Sequence, residues 1–215
     1  MNKESAKLTG VILAGGQNRR MNGRSKAPLT IGGQTFLSRQ LSEMSRVCSE
    51  PLLIAPDRTP FERELEPYGE RVRIEADLHP GLGPLAGLET AMTMALGEVL
   101  WVVGCDMPFL SADAAVALEE LRQAGADGAG RAEAGEKLHP LHGVYHRCGL
   151  PVLQSMLTEG NFRVMDFIGR MNASIADGAF FEDRGVRTDF AQNINNPDDY
   201  VRMTSDHTKM HGPKE

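Results

Sequence analysis

Five consecutive apolar residues, Val99-Leu100-Trp101-Val102-Val103, constrain the fold of this chain more than any other feature. A run that is apolar on both parities suits a central strand covered on both faces, the usual setting of a parallel sheet. Shorter runs stand at Val11 to Ala14 and at Leu52 to Ala55, with a weaker one at Val72 to Ile74. Helical periods fall between them. Phe36 to Val47 carries Phe36, Leu37, Leu41, Met44 and Val47 on one side, with Thr35 placed to cap it. Another helix is expected from about Leu85 to Ala95, and a third after Ser111 with Ala115, Leu118 and Leu121. This alternation predicts an α/β fold, a three-layer sandwich around a predominantly parallel twisted sheet.

The second half is less regular. Leu138 to Tyr145 reads as a strand, Leu150 to Leu157 and Arg163 to Ile168 as helices, and Ser174 to Ala176 as a short strand. Ala126 to Lys137 is rich in glycine, alanine and charge and reads as a mobile loop or hairpin. The stretch TSDHTKMHGPKE from Thr204 has little to bury, so a single domain over residues 1–203 and a disordered tail over 204–215 are expected. With 215 residues the chain can bury a sizeable core. Its net charge of -6 argues against a protein that coats nucleic acid. Cys48, Cys105 and Cys148 are an odd number without paired spacing, which suits reduced thiols. With no signal-peptide pattern and no long apolar run, no membrane contact is expected and the cytoplasm is the expected setting.

Ligands of open α/β sheets bind outside the carboxyl ends of the strands. Two segments fall there: the loop at residues 15–26 and Gly104-Cys105-Asp106. Gly15 and Gly16 let backbone N–H groups approach an anion, and Arg19, Arg20, Arg24 and Lys26 add positive charge in the same loop. That combination suits a triphosphate. It is neither a Walker A loop nor a G-x-G-x-x-G fingerprint. On charge alone, a solvated basic turn explains it equally well.

Five segments narrow the choice. LAGGQNRRMNGRSKAPL resembles the LAGG signature of nucleotidyltransferases that load a nucleoside monophosphate onto a phosphorylated acceptor. DLHPGLGPLAGL, GCDMPFL, HPLHGVYHR and NINNPDDY then resemble, in order, segments of the molybdenum cofactor guanylyltransferases. Asn22, Ser25 and Asn196 depart from that pattern, while Gly15, Gly16, Arg20, Gly23 and Lys26 keep its register. The resemblance implies a nucleotide-diphospho-sugar-transferase-like, Rossmann-like fold. It also implies transfer of GMP from GTP to molybdenum-bound molybdopterin with Mg2+ as cofactor, and exchange with molybdenum-cofactor synthesis proteins and target molybdoenzymes.

Site roles follow from the same resemblance. Lys26 and Arg20 are expected on the triphosphate and the departing pyrophosphate, with backbone at Leu13, Ala14, Gly15 and Gly16 against the nucleotide. Asp106, at the end of the strongest strand, is the expected Mg2+ ligand; a turn aspartate ahead of Pro108 is the alternative. Asp77 is expected near the ribose or the metal, with Pro84, Leu85 and Gly87 in a wall beside the base; an ordinary turn is the alternative. Asn193 and Asn195 share a parity and suit an acceptor phosphate or a metal-bound water, while Asp198 reads as a helix-start cap.

His139, His142, His146 and Cys148 invite a zinc reading, but residues 139 and 142 have opposite strand parity. One or two of these histidines are candidates for contact with the pterin substrate. Cys105 has no evident general-base partner and reads as a small buried hydrophobe, and Trp101 reads as core. Two rival functions stay open: a related nucleotidyltransferase with another nucleotide or acceptor, such as a molybdopterin cytidylyltransferase or a sugar-phosphate nucleotidyltransferase, and a catalytically silent nucleotide-binding subunit.

Overall fold

The computed structural model describes residues 8–15, 29–132, 138–194 and 196–211. Gly16, Arg20, Lys26 and Asn195 lie outside the described residues.

The first half alternates as its pattern requires. Strand β1 (Leu8–Leu13) is followed by a small hairpin, β2 (Thr30–Ile31) and β3 (Gln34–Thr35), and by α1 (Phe36–Val47). The hairpin turns through Gly32 and Gly33 at φ 57° and 79°, a conformation with no steric cost in glycine. The Thr35 hydroxyl accepts from Ser38 N at 3.2 Å and so caps α1. Next come β4 (Cys48–Ile54), the short α2 (Glu62–Leu65), β5 (Arg73–Glu75), α3 (Pro84–Met94), β6 (Val99–Gly104) and α4 (Ala112–Gln123). The second half adds β7 (Gly128–Ala132), β8 (Leu138–His146), α5 (Leu150–Thr158), α6 (Val164–Arg170), β9 (Ala173–Ala176), α7 (Gly178–Glu182) and α8 (Pro197–His211).

Seven strands form one sheet in the order β5-β4-β1-β6-β8-β7-β9. The four strands from β5 to β6 are mutually parallel, and β8 runs antiparallel to both β6 and β7. Burial explains why the central strands are apolar throughout. Val99, Trp101 and Val103 of β6 pack in one layer with α1 and α4, whereas Leu100 and Val102 pack in the other with α3, α5 and α6. Among the described residues, no helix is long and apolar enough to cross a membrane.

Two expectations change. Parity does not govern β8, because two steps along β7, from Ala129 to Arg131, match five along β8, from Val144 to His139. The extra residues form a bulge in which His142 takes φ 126°. Its ring is buried 5.5 Å from Trp101 and 4.5 Å from Phe190, centroid to centroid, so this histidine is part of the core and not a pterin contact. The expected disordered tail also differs over residues 204–211, which continue α8. That helix is anchored by buried Met203 and by the Tyr200 hydroxyl, which donates to Thr30 O at 2.6 Å.

Candidate active site

The parallel strands end in step. Ala55 N donates to Glu75 O, Ala14 N to Ile54 O and Cys105 N to Leu13 O, at 3.0, 3.0 and 3.2 Å. These bonds extend the ladder one residue past each strand and bring the chain off the sheet along one edge. Leu13 and Ala14 are buried there and Gly15 is exposed. The Leu13 carbonyl and the Ala14 N–H are therefore already paired with neighbouring strands, which narrows the expected backbone contact with a base towards Gly15.

Asp106 sits in the turn that follows β6, half-buried. Its carbonyl accepts from Ile194 N at 2.9 Å, which brings Asn193 to the same turn from nearly ninety residues away along the chain. Beneath the turn, the amide of Gln40, fully buried on α1, donates to Gly104 O at 2.8 Å and to Met107 O at 2.9 Å. One side chain thus satisfies two carbonyls on either side of Asp106. Gly104 leaves room for the Asp106 carboxylate: a Cβ there would stand 2.6 Å from its Oδ1 and push it aside. Sequence reasoning missed Gln40. The signal was a polar residue on the apolar stripe of α1, three residues after Leu37 and four before Met44.

Asp77 lies two residues past β5, and its Oδ1 accepts from His79 N at 2.9 Å and from the Thr90 hydroxyl at 3.3 Å. The same hydroxyl accepts from Leu78 N at 3.0 Å, so this loop is fastened along α3. At the start of α3, Gly83 takes φ 89° and Pro84 opens the helix, where a missing N–H costs nothing. Leu85 is fully buried in the core, so its side chain does not face a ligand. Gly87 allows close packing: a Cβ there would come within 3.3 Å of Leu13 Cδ2, so the absence of a side chain seats α3 against the end of β1. Asn196, not Asp198, caps α8, its Oδ1 accepting from Asp199 N at 2.8 Å.

Among the described residues, no three His, Cys, Asp or Glu side chains gather as a metal-binding group. A cavity of about 710 Å3 is lined by residues of α1, Pro108 to Ser111 and Gly185 to Gln192, and by no described residue expected at the nucleotide.

An open sheet whose parallel strands deliver Gly15 and Asp106 to one edge, with the Asn193 segment tied to the Asp106 turn, is the architecture of a nucleotide-binding α/β protein. The MobA-like NTP transferase domain matches residues 10–174. A probable molybdenum cofactor guanylyltransferase of Carboxydothermus hydrogenoformans is 32% identical over 196 residues, covering 91% of this chain and 94% of the relative. A molybdenum cofactor guanylyltransferase of Cereibacter sphaeroides is 33% identical over 202 residues, covering 93% and 96%. Molybdopterin-guanine dinucleotide biosynthesis protein A from Archaeoglobus fulgidus superposes with a TM-score of 0.78 at 24% identity, over 94% of this chain and 100% of that one. A 2-C-methyl-D-erythritol 4-phosphate cytidylyltransferase from Thermus thermophilus shares the fold at a TM-score of 0.65 and 17% identity, over 93% and 98%. The chain belongs to the MobA-like NTP transferase family and is an enzyme of the nucleotidyltransferase class.

Proposed function

We propose that this enzyme transfers GMP from GTP to the terminal phosphate of molybdenum-bound molybdopterin, releasing pyrophosphate and forming the guanine dinucleotide cofactor. The names of its relatives support both donor and acceptor. The observation that carries the reading is the pair of backbone bonds, Cys105 N to Leu13 O and Ile194 N to Asp106 O, that hold the end of β1, Asp106 and Asn193 along one edge. A nucleotide above β1 and an acceptor phosphate beside the asparagine then meet at Asp106.

The acceptor phosphate is ionised near neutral pH and is itself the nucleophile. One of its oxygens bonds to the α-phosphorus of GTP while the bond from that phosphorus to the oxygen bridging to the β-phosphate breaks. Pyrophosphate leaves with that oxygen, so no protein nucleophile or strong base is required. Catalysis then rests on positioning and charge neutralisation. In this reading Lys26 and Arg20 neutralise the triphosphate and the leaving group, the backbone at Gly15 meets the base or ribose, and Gly16 admits its backbone to the phosphates. Asp77, Pro84 and the backbone at Leu85 flank the ribose and base, with Gly87 holding that wall against β1. Asn193 and Asn195 offer amides to the acceptor phosphate.

The donor set fits Mg2+, which takes few carboxylates and completes its shell with phosphate oxygens and water. Asp106 would hold the ion, which neutralises phosphate charge when bound. We place the reaction in the cytoplasm, with other molybdenum-cofactor synthesis proteins supplying the acceptor and molybdoenzymes receiving the product. Pyrophosphate release from GTP and Mg2+ should depend on added molybdenum-bound molybdopterin. Release at the same rate without any acceptor would contradict the reading.

A further inference from the structure

The cavity of about 710 Å3 beside the Asp106 turn has a size typical of sites for organic ligands. Its walls grow out of the same peptide segments that build the proposed site. Pro108 and Phe109 follow Asp106 by two and three residues, so their Cα atoms lie within roughly 7 and 11 Å of its Cα even on an extended path. On the opposite wall Gln192 immediately precedes Asn193, in the segment that Ile194 N ties to the Asp106 carbonyl.

The chemistry of the lining is not that of a phosphate site. Among the described residues it carries two arginines against three carboxylates. Arg187 is paired with Asp189 at 2.7 Å, Arg39 donates to Ile31 O at 3.2 and 3.0 Å, and Glu43 and Asp113 are both paired with Arg46 outside the lining, at 2.8 and 3.2 Å. What remains is an apolar floor of Leu110, Val186 and Met203, an aromatic face on Phe109, and exposed amides on Gln34 and Gln192. The Arg39 guanidinium stands 6.0 Å from the Phe109 ring centroid. A flat neutral heterocycle with donors and acceptors around its edge matches these walls: rings stack on aromatic and guanidinium faces while amides read the rim.

Resting on the guanylyltransferase reading, we infer that this cavity seats the pterin ring system of the acceptor, with its phosphate reaching back to Asp106. The two substrates then occupy different walls of one edge: the nucleotide lies over β1 and the start of α3, and the pterin between α1 and the Gly185–Gln192 segment. Acceptor choice is set by residues that never touch GTP.

Ser42 lines the cavity from the exposed face of α1, where a bulky residue blocks the space without entering the core. Ser42→Trp should raise the acceptor KM at least tenfold while leaving the GTP KM within about twofold, and Gln34→Leu should move in the same direction by less. Binding of fluorescent 6-hydroxymethylpterin, read by quenching without GTP, should be saturable in the wild-type protein and lost in Ser42→Trp. Quenching that is absent in the wild type, or unchanged by Ser42→Trp, would overturn the placement, as would parallel changes in both KM values. Pterin binding that is blocked by Ser42→Trp in a protein without guanylyl transfer would keep the cavity assignment and reject the activity.

Discussion

Asp106 is positioned by Gln40, which braces the carbonyls on either side of it, and by Gly104, which leaves room for its carboxylate. Its own removal is the simplest case: Asp106→Ala should fold normally and lose on the order of a hundredfold or more in turnover, as when charge stabilisation of a transferring phosphoryl group is lost. Wild-type-like rates in that variant would remove Asp106 from the mechanism. Gly104→Ala separates geometry from charge. The added Cβ would meet the Asp106 carboxylate at 2.6 Å, and the short side chain gives way more easily than the backbone. Turnover should fall at least tenfold while the melting temperature barely moves; a fall in both would make Gly104 a structural glycine. Lys26→Ala should weaken GTP binding with little loss of stability, and Lys26→Arg should only partly restore it, because a planar guanidinium replaces a compact charge. Unchanged GTP affinity by calorimetry in Lys26→Ala would displace the triphosphate from the loop.

The helices and strands divide into those readable from local pattern and those fixed by distant partners. β6 was legible because a run apolar on both parities has one good home, between two layers. The cap of α1 was legible because Thr35 is a short polar residue immediately before an apolar stripe. The β8 bulge was not: its register is set by β7 and β6, and nothing in HPLHGVYH marks where the extra residues fall. The helical continuation past Thr204 was missed because burial was judged from that stretch alone, whereas the anchors, Tyr200 and Met203, precede it. The cavity was invisible in sequence because its walls come from stretches as far apart as Gln34 and Met203. Of the candidate site, the strand-end positions of Leu13 and Asp106 were readable, but the brace from Gln40 required knowing that α1 lies beneath β6. Seating of α3 offers a direct check. Gly87→Val should cost about 1–3 kcal/mol by overpacking against Leu13 and should also weaken GTP affinity. Loss of stability with unchanged GTP affinity would detach this helix from the nucleotide site.

Taken together, the layers bury groups whose ionisation the fold resists. Burial pushes the Cys48 thiol up to about 12. It also pushes the Tyr145 phenol up, whose hydroxyl donates to Pro140 O at 2.7 Å. A thiol in the unfolded chain ionises near about 8.5. Because the folded value is raised, its contribution to stability is full below that pH and is lost as pH rises towards 12. Urea midpoints measured at stepped alkaline pH should therefore fall, and Cys48→Ala should make the fall shallower, leaving the part that belongs to Tyr145. Parallel pH profiles for the two proteins would contradict this.

On the proposed function, one sheet edge serves both substrates and GMP is the group transferred to molybdopterin. A guanine-reading pocket that leaves two polar edges of a wrong base unpaired loses about 1–3 kcal/mol for each, so roughly a hundredfold discrimination is expected. The most direct measurement supplies equimolar GTP, CTP and ATP together with molybdenum-bound molybdopterin and Mg2+, and resolves the dinucleotide products by mass. The guanine dinucleotide should dominate by about that factor. An equal or larger yield of the cytosine dinucleotide would contradict guanylyl transfer while leaving the fold and the Asp106 turn as described.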